Sequence, residues 1–220
     1  MTVKASQREE NTSELSRLSR EMIIAAGMEI ASRPGCTTVT VRDLGKQLGV
    51  DPTAIYRHFR NKNELMSALL DRLISVATDR STVDPKDWKD ALRELADNVL
   101  DVYLDYPAVA AEAATLSTKG SAELDGIEFI LGCLSKAGLE GDQLIEYYQL
   151  FSSHMLAFGS VIAQSRGAKG KGAYIPATVA ATHASHPTTT KYREQLLALD
   201  ERSVYRTGIR MILDCAEAAA

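Results

Sequence analysis

The chain has 220 residues, 45% hydrophobic and 25% charged, with 14 Gly and 6 Pro, a balance that excludes collagen-like, low-complexity and wholly disordered chains. Cys36, Cys133 and Cys215 form no close pair, which excludes a disulfide scaffold or zinc ribbon and points to a reducing compartment, the cytoplasm. The net charge of −4 argues against a generic polyanion binder, yet it hides a split: residues 1–62 carry ten Lys and Arg against seven Asp and Glu, a balance of +3, and residues 63–220 carry −7.

Residues 1–13 lack apolar periodicity and read as a flexible tail; they are polar and charged, unlike a signal peptide. Leu15, Leu18, Met22, Ala25, Ala26 and Ile30 then recur at helical spacing, predicting a helix over 14–32 that Pro34 and Gly35 end. Thr40 is placed to cap a short helix that Gly49 stops, with Asp43 as the capping-box acid. Asp51 caps the next helix, expected over 51–59, and Pro52 takes its first position. A third start comes at Asn61, with Glu64 three residues on and Leu65, Met66, Leu69, Leu70, Leu73 and Ile74 behind it. Two short helices set at an angle, then a longer one, is the rhythm this predicts.

The remainder also reads as helical, so the fold class is all-α. Asp84-Pro85 predicts a helix start carrying Trp88, Leu92, Leu95 and Leu100 as far as Tyr106-Pro107. Short and medium helices are expected over 108–116 and 121–137, and a long one over 143–166 whose apolar residues are too many for one stripe, so that two of its faces are buried. Residues 167–190, rich in Gly, Thr and Ala, read as a loop, and helices near 188–199 and 201–218 close the chain. No apolar run reaches the roughly 18 residues of a membrane span.

The informative stretch is VTVRDLGKQLGVDPTAIYRHFRNKNEL, residues 39–65. Leu44, Leu48, Val50 and Ile55 let two short helices share a small core, Gly45 allows their close approach and Gly49 the bend, which is the logic of a helix-turn-helix. The second helix then presents Pro52, Thr53, Tyr56 and Arg57, while Ile55 and Phe59 turn inward. The combination Thr40-x-Arg42-Asp43-Leu44-Gly45-x-x-Leu48-Gly49-Val50 with Ile55-Tyr56-x-x-Phe59-x-x-Lys62-x-x-Leu65 resembles the DNA-binding domain of the tetracycline-repressor (TetR) family. That resemblance implies a DNA-binding domain over 14–62, in which Tyr56, Lys62 and Thr40 grip phosphates and Arg42 sits where some members read guanine. Ala54 departs from the usual Thr or Ser, and Pro52-Thr53 from Lys-Gly or Lys-Ala. Thr53 is left to meet a thymine methyl or a phosphate.

For residues 63–220 the resemblance implies a helical ligand-binding and dimerisation domain, a homodimer and a near-palindromic double-stranded DNA operator released when a small-molecule effector binds. Trp88, Tyr103, Tyr147, Phe151, His154, Met155 and Phe158 are the candidate pocket residues, mostly apolar with a few polar tips. No enzyme signature stands beside this: Gly-x-Ser-x-Gly and His-Glu-x-x-His are absent, GAKGKG lacks phosphate-loop spacing, and His183-x-x-His186 has no acidic or Cys partner nearby. No catalytic residue, metal or cofactor is assigned. A helical interaction protein, or a small-molecule enzyme, that has lost its DNA contacts is the alternative, and repressor, corepressor-type and activator modes all stay open.

Overall fold

Ser19 opens the first helix: its hydroxyl accepts the Met22 N–H at 3.2 Å and so satisfies one of the free donors at a helix start. The computed structural model describes residues 18–169, Val179 and residues 185–220. The tail at 1–13, the expected helix start at 14–17, His183 and most of the 167–190 loop lie outside the described residues. Helix α1 is Arg20–Ala31, α2 Val41–Leu48, α3 Pro52–Ile55 and α4 Lys62–Asp79. The next helices are α5 Trp88–Asp105, α6 Pro107–Ala110, α7 Ser121–Lys136 and α8 Gly141–Ser153. A wide π turn, His154–Phe158, joins α8 to α9, Gly159–Lys169; α10 Pro187–Lys191, α11 Arg193–Leu197 and α12 Glu201–Ala219 complete the chain. There is no strand among the described residues, and no helix there is long and apolar enough to cross a membrane.

Several elements differ from the sequence expectation. The second short helix ends at Ile55 rather than running to 59, and tight bonds from Arg57 N–H to the Ala54 carbonyl and His58 N–H to the Ile55 carbonyl carry the chain on. The helix expected from Asp84-Pro85 starts at Trp88, because Asp84 closes a turn instead: its carboxylate accepts the Lys86 N–H at 2.9 Å and its carbonyl the Asp87 N–H. The helix expected over 108–116 stops as a helix at Ala110, and successive turns take over. The long helix is interrupted by the π turn, which inserts extra backbone and rotates the faces of α9 relative to those of α8. The helix expected over 188–199 breaks at Tyr192, whose φ of −103° and ψ of 13° leave the helical region.

One apolar core runs from Ile23 in α1 to Ala216 in α12. Helix α4 links its two parts: it packs against α1 on one side and against α5, α6 and α7 on the other. Helix α12 lies against α5, α8 and the π turn. Ionic contacts flank the α5–α12 seam, with Arg206 and Asp97 at 2.7 Å, Arg202 and Asp101 at 2.7 Å, and Lys89 and Asp214 at 2.8 Å.

Candidate nucleic-acid interface and effector cavity

The N-terminal three helices are assembled by short-range polar contacts. Thr40 Oγ1 accepts the Asp43 N–H at 3.1 Å and donates to the Asp43 carboxylate at 2.5 Å. Gly49 takes a φ of 67°, a left-handed stop for α2, and the Val50 N–H reaches the Gly45 carbonyl at 2.9 Å. A side chain on Gly45 would put its Cβ 2.9 Å from the Val50 carbonyl oxygen and 3.1 Å from Pro52, so only glycine lets the turn close. Asp51 then caps α3 by accepting both the Thr53 N–H at 2.8 Å and the Thr53 hydroxyl at 2.6 Å; the hydroxyl bond and then the N–H bond hold its carboxyl below the usual range. Asn61 does the same for α4 at the Glu64 N–H, 2.9 Å away.

Leu44, Ile55 and Phe59 are fully buried beneath this turn. Arg20 fastens the assembly from α1. Its guanidinium lies 4.1 Å from the Phe59 ring centroid and donates to the His58 carbonyl at 2.9 Å and the Glu64 carboxylate at 3.0 Å. No sequence pattern singles this residue out, since its partners lie 38 and 44 positions away.

With the apolar side buried, Arg42, Pro52, Thr53, Tyr56, Arg57 and Lys62 are exposed or half-exposed and Thr40 is half-buried. Arg42, Arg57 and Lys62 make no ion pair among the described residues and stand together on the exposed side of the turn, while Arg20 beneath them is paired with Glu64. Unpaired cations beside a buried scaffold are what phosphate contact requires.

In the C-terminal part a cavity of about 110 Å³ opens between α4, α5, α7 and α8 with the π turn. Its walls are mainly aliphatic, from Leu70 and Ile74 of α4, Leu95 and Val99 of α5, Ile127 and Ile130 of α7, and Met155 and Leu156 of the π turn. Polar groups enter from Thr78, Tyr103, Thr118, Glu123, Tyr148 and Ser152. At its α7 end Asp71 takes the place of a cap: its Oδ1 accepts the Glu123 N–H at 3.1 Å and the Thr118 hydroxyl at 2.8 Å. Burial pushes the Glu123 carboxyl up, but bonds from the Lys119 N–H, Thr118 and Ser117 outweigh it and hold it below the usual range.

Of the seven pocket residues expected from sequence, Tyr103 and Met155 line this cavity. Phe151 is buried in the core, Trp88 packs partly buried against the core, and the Tyr147 hydroxyl donates to the Cys215 carbonyl at 3.2 Å. His154 and Phe158 face the other way, into an open groove that also contains Leu150 and Ile212. There the His154 Nε2–H donates to the Tyr205 carbonyl at 3.0 Å and the ring stacks on Tyr205 at 5.5 Å. Gly208 leaves the ring room, since a Cβ at that glycine would overlap the imidazole. Leu150, Ile145 and Met211 stand more than half exposed on these same helices.

Two family models match the chain. A family model described as "Bacterial regulatory proteins, tetR family" matches residues 23–69, and one described as "Tetracyclin repressor-like, C-terminal domain" matches residues 83–219. A helix-turn-helix transcriptional repressor of Mycobacterium tuberculosis is 27% identical over 214 residues, spanning 90% of this chain and 80% of its own. A solved transcriptional regulator of Streptomyces coelicolor shares 28% identity and a TM-score of 0.71, covering 93% of this chain and 99% of its own. ActR of Streptomyces coelicolor, solved in complex with actinorhodin, matches the fold at a TM-score of 0.73 and 19% identity, over 93% of this chain and 97% of its own.

Proposed function

The chain belongs to the tetR family of bacterial regulatory proteins, and from that premise we propose that it is a cytoplasmic, ligand-responsive repressor and not an enzyme. As a homodimer it holds a near-palindromic DNA operator, and it lets go when a small, mostly apolar molecule fills the α4–α8 cavity. The observation that carries this reading is a capped helix-turn-helix whose Arg42, Arg57 and Lys62 have no ion pair among the described residues. The repressor function of the Mycobacterium tuberculosis relative and the actinorhodin-bound state of ActR support it.

In this reading Tyr56, Lys62 and Thr40 meet phosphates, Arg42 reads a base edge, and Thr53 and Arg57 complete the contact with Pro52 starting the helix. Thr53 presents its methyl group, because its hydroxyl proton is committed to Asp51. A second copy covers the groove between α8 and α12, where Leu150, Ile145 and Met211 are exposed, and sets the two reading heads about one DNA turn (~34–36 Å) or slightly more apart. Helix α4 connects the two events, since Lys62 begins it and Leu70, Ile74 and Thr78 line the cavity.

The test is a titration of the chain's own promoter fragment at several salt concentrations, with Tyr56→Phe plus Lys62→Ala beside the parent. Loss of two phosphate contacts lowers affinity roughly tenfold or more, and because only Lys62 carries charge the salt slope flattens by about 1. Unchanged affinity and slope remove those contacts from the reading. Sedimentation at low-micromolar concentration checks the dimer, and a monomer there contradicts the palindrome.

A further inference from the structure

Tyr103 is 1% exposed, and its hydroxyl is the buried side-chain polar atom with no hydrogen-bond partner among the described residues. A buried phenol without a partner is costly, and most such groups in folded proteins are satisfied. Tyr103 lines the α4–α8 cavity. Three neighbouring hydroxyls have no proton to offer a ligand: Thr78 donates to the Ile74 and Ser75 carbonyls, Ser152 to the Tyr148 carbonyl, and Thr118 to the carboxylates of Asp71 and Glu123. Tyr148, the remaining hydroxyl at the wall, is only half-buried.

A second observation concerns space. Gly126 sits buried in the middle of α7, where glycine weakens a helix relative to alanine, yet a Cβ there would have only Ile74 nearby at 3.8 Å. The position keeps volume open at the cavity wall. A third concerns charge: no Lys, Arg or His is among the residues lining the cavity, and its ionisable acid, Glu123, already accepts bonds from three neighbouring residues. An anion there would lose its hydration and meet a carboxylate.

We infer that the effector is an uncharged, largely apolar molecule of about seven non-hydrogen atoms carrying a single hydrogen-bond acceptor, such as a ketone oxygen, which receives the proton of the Tyr103 hydroxyl. This rests on the reading of the cavity as the effector site. The volume of about 110 Å³ is smaller than an engineered apolar cavity of about 150 Å³ that takes benzene, so a guest of this size enters as Met155, a flexible part of the wall, gives way.

Three probes of the same number of non-hydrogen atoms separate the possibilities: cyclohexanone, its hydrocarbon isostere methylenecyclohexane, and cyclobutanecarboxylate. Each is titrated into the full chain, the Tyr103→Phe variant and the cavity-filling Gly126→Val variant, with affinity and melting temperature read together. Cyclohexanone is expected to bind the parent and to lose about tenfold in Tyr103→Phe. Methylenecyclohexane should bind parent and Tyr103→Phe alike, to within about twofold, and the carboxylate should not bind. Tyr103→Phe without ligand also melts above the parent. Equal ketone affinity in parent and Tyr103→Phe, or carboxylate binding as tight as the ketone's, overturns the inference while leaving the cavity as the site. If no probe binds the parent, or Gly126→Val leaves binding intact, the cavity reading fails and the inference with it.

Discussion

The two parts of the molecule are built on opposite terms. In the reading head every described helix start from α1 to α4 has a side-chain cap, from Ser19, Thr40, Asp51 and Asn61, and each cap bonds a backbone group two or three residues away. In the C-terminal part α12 is capped by Asp200, but α5, α7 and α8, which surround the cavity with α4, have no such cap of their own; Asp71 stands in for α7 from another helix, 52 residues from the N–H it accepts. The head has its helix starts satisfied locally and, Arg20 apart, its cations turned outward. The C-terminal part keeps a void, a mid-helix glycine with open space beside it and an unpartnered phenol, each of which lowers stability unless something occupies the space. A reader of DNA benefits from one rigid shape, and a sensor needs an unfinished one.

Removing core volume from the head is the strongest way to break this division. Leu44→Ala should cost about 3 kcal/mol, because the side chain is fully buried under α2, and operator binding should be lost. Cyclohexanone binding should stay within about twofold of the parent, and simultaneous loss of both activities would show that the two parts do not stand independently. The link between them is the next target. Asp71→Ala removes the acceptor for Thr118 and the Glu123 N–H, and should cost roughly 1–2 kcal/mol in urea unfolding. Probe binding should persist while probe-induced release of the promoter fragment is weakened.

A smaller effect sharpens the contrast from the other side. Gly126→Ala should stabilise the chain by about 0.5–1 kcal/mol, read by urea unfolding, while weakening cyclohexanone binding. A variant that is both less stable and ligand-tight would contradict the account of the void. The smallest effect is on pH. The carboxyls of Asp51 and Glu64 are held below their ordinary range, by Thr53 and by the Arg60 N–H with Arg20. Their contribution is present above the unfolded value of about 4 and is lost as pH falls through the folded one. Lys89, raised by Asp214 and Glu217, contributes fully below its unfolded value of about 10.4, and that contribution is lost as pH rises through the folded one. Asp214 is lowered by the same lysine, so the α5–α12 seam also weakens in acid. Hydrogen exchange should therefore show acid opening both parts and alkali opening the α5–α12 seam first.

The head is legible in the sequence because its determinants are close together: a cap and the group it bonds fall within one short window, as Thr40 and Asp43 or Asn61 and Glu64 do. Arg20 is hidden for the opposite reason, as its contacts cross most of the head. In the C-terminal part, aromatic spacing brings forward Tyr103 and Met155, which line the cavity, together with His154 and Phe158, which do not. The π turn accounts for that split, because a helix of constant period cannot announce where its faces shift. Thr78, Thr118, Glu123 and Ser152 give no local sign, and Asp71 is tied to Glu123 only by the fold. The mid-helix Gly126 is a partial signal, since nothing about a turn explains it there, yet Gly132 stands in the same helix without lining the cavity.

Under the proposed function helix α4 serves as a mechanical lever. Twelve residues separate Ile74 at the cavity wall from Lys62, so at 1.5 Å per residue the arm is about 18 Å long. A tilt of about 5° at the cavity end moves the far end by about 1.6 Å, more than half the length of a hydrogen bond of about 2.9 Å. In that reading a guest that tilts the rod by this much takes Lys62 out of alignment with its phosphate.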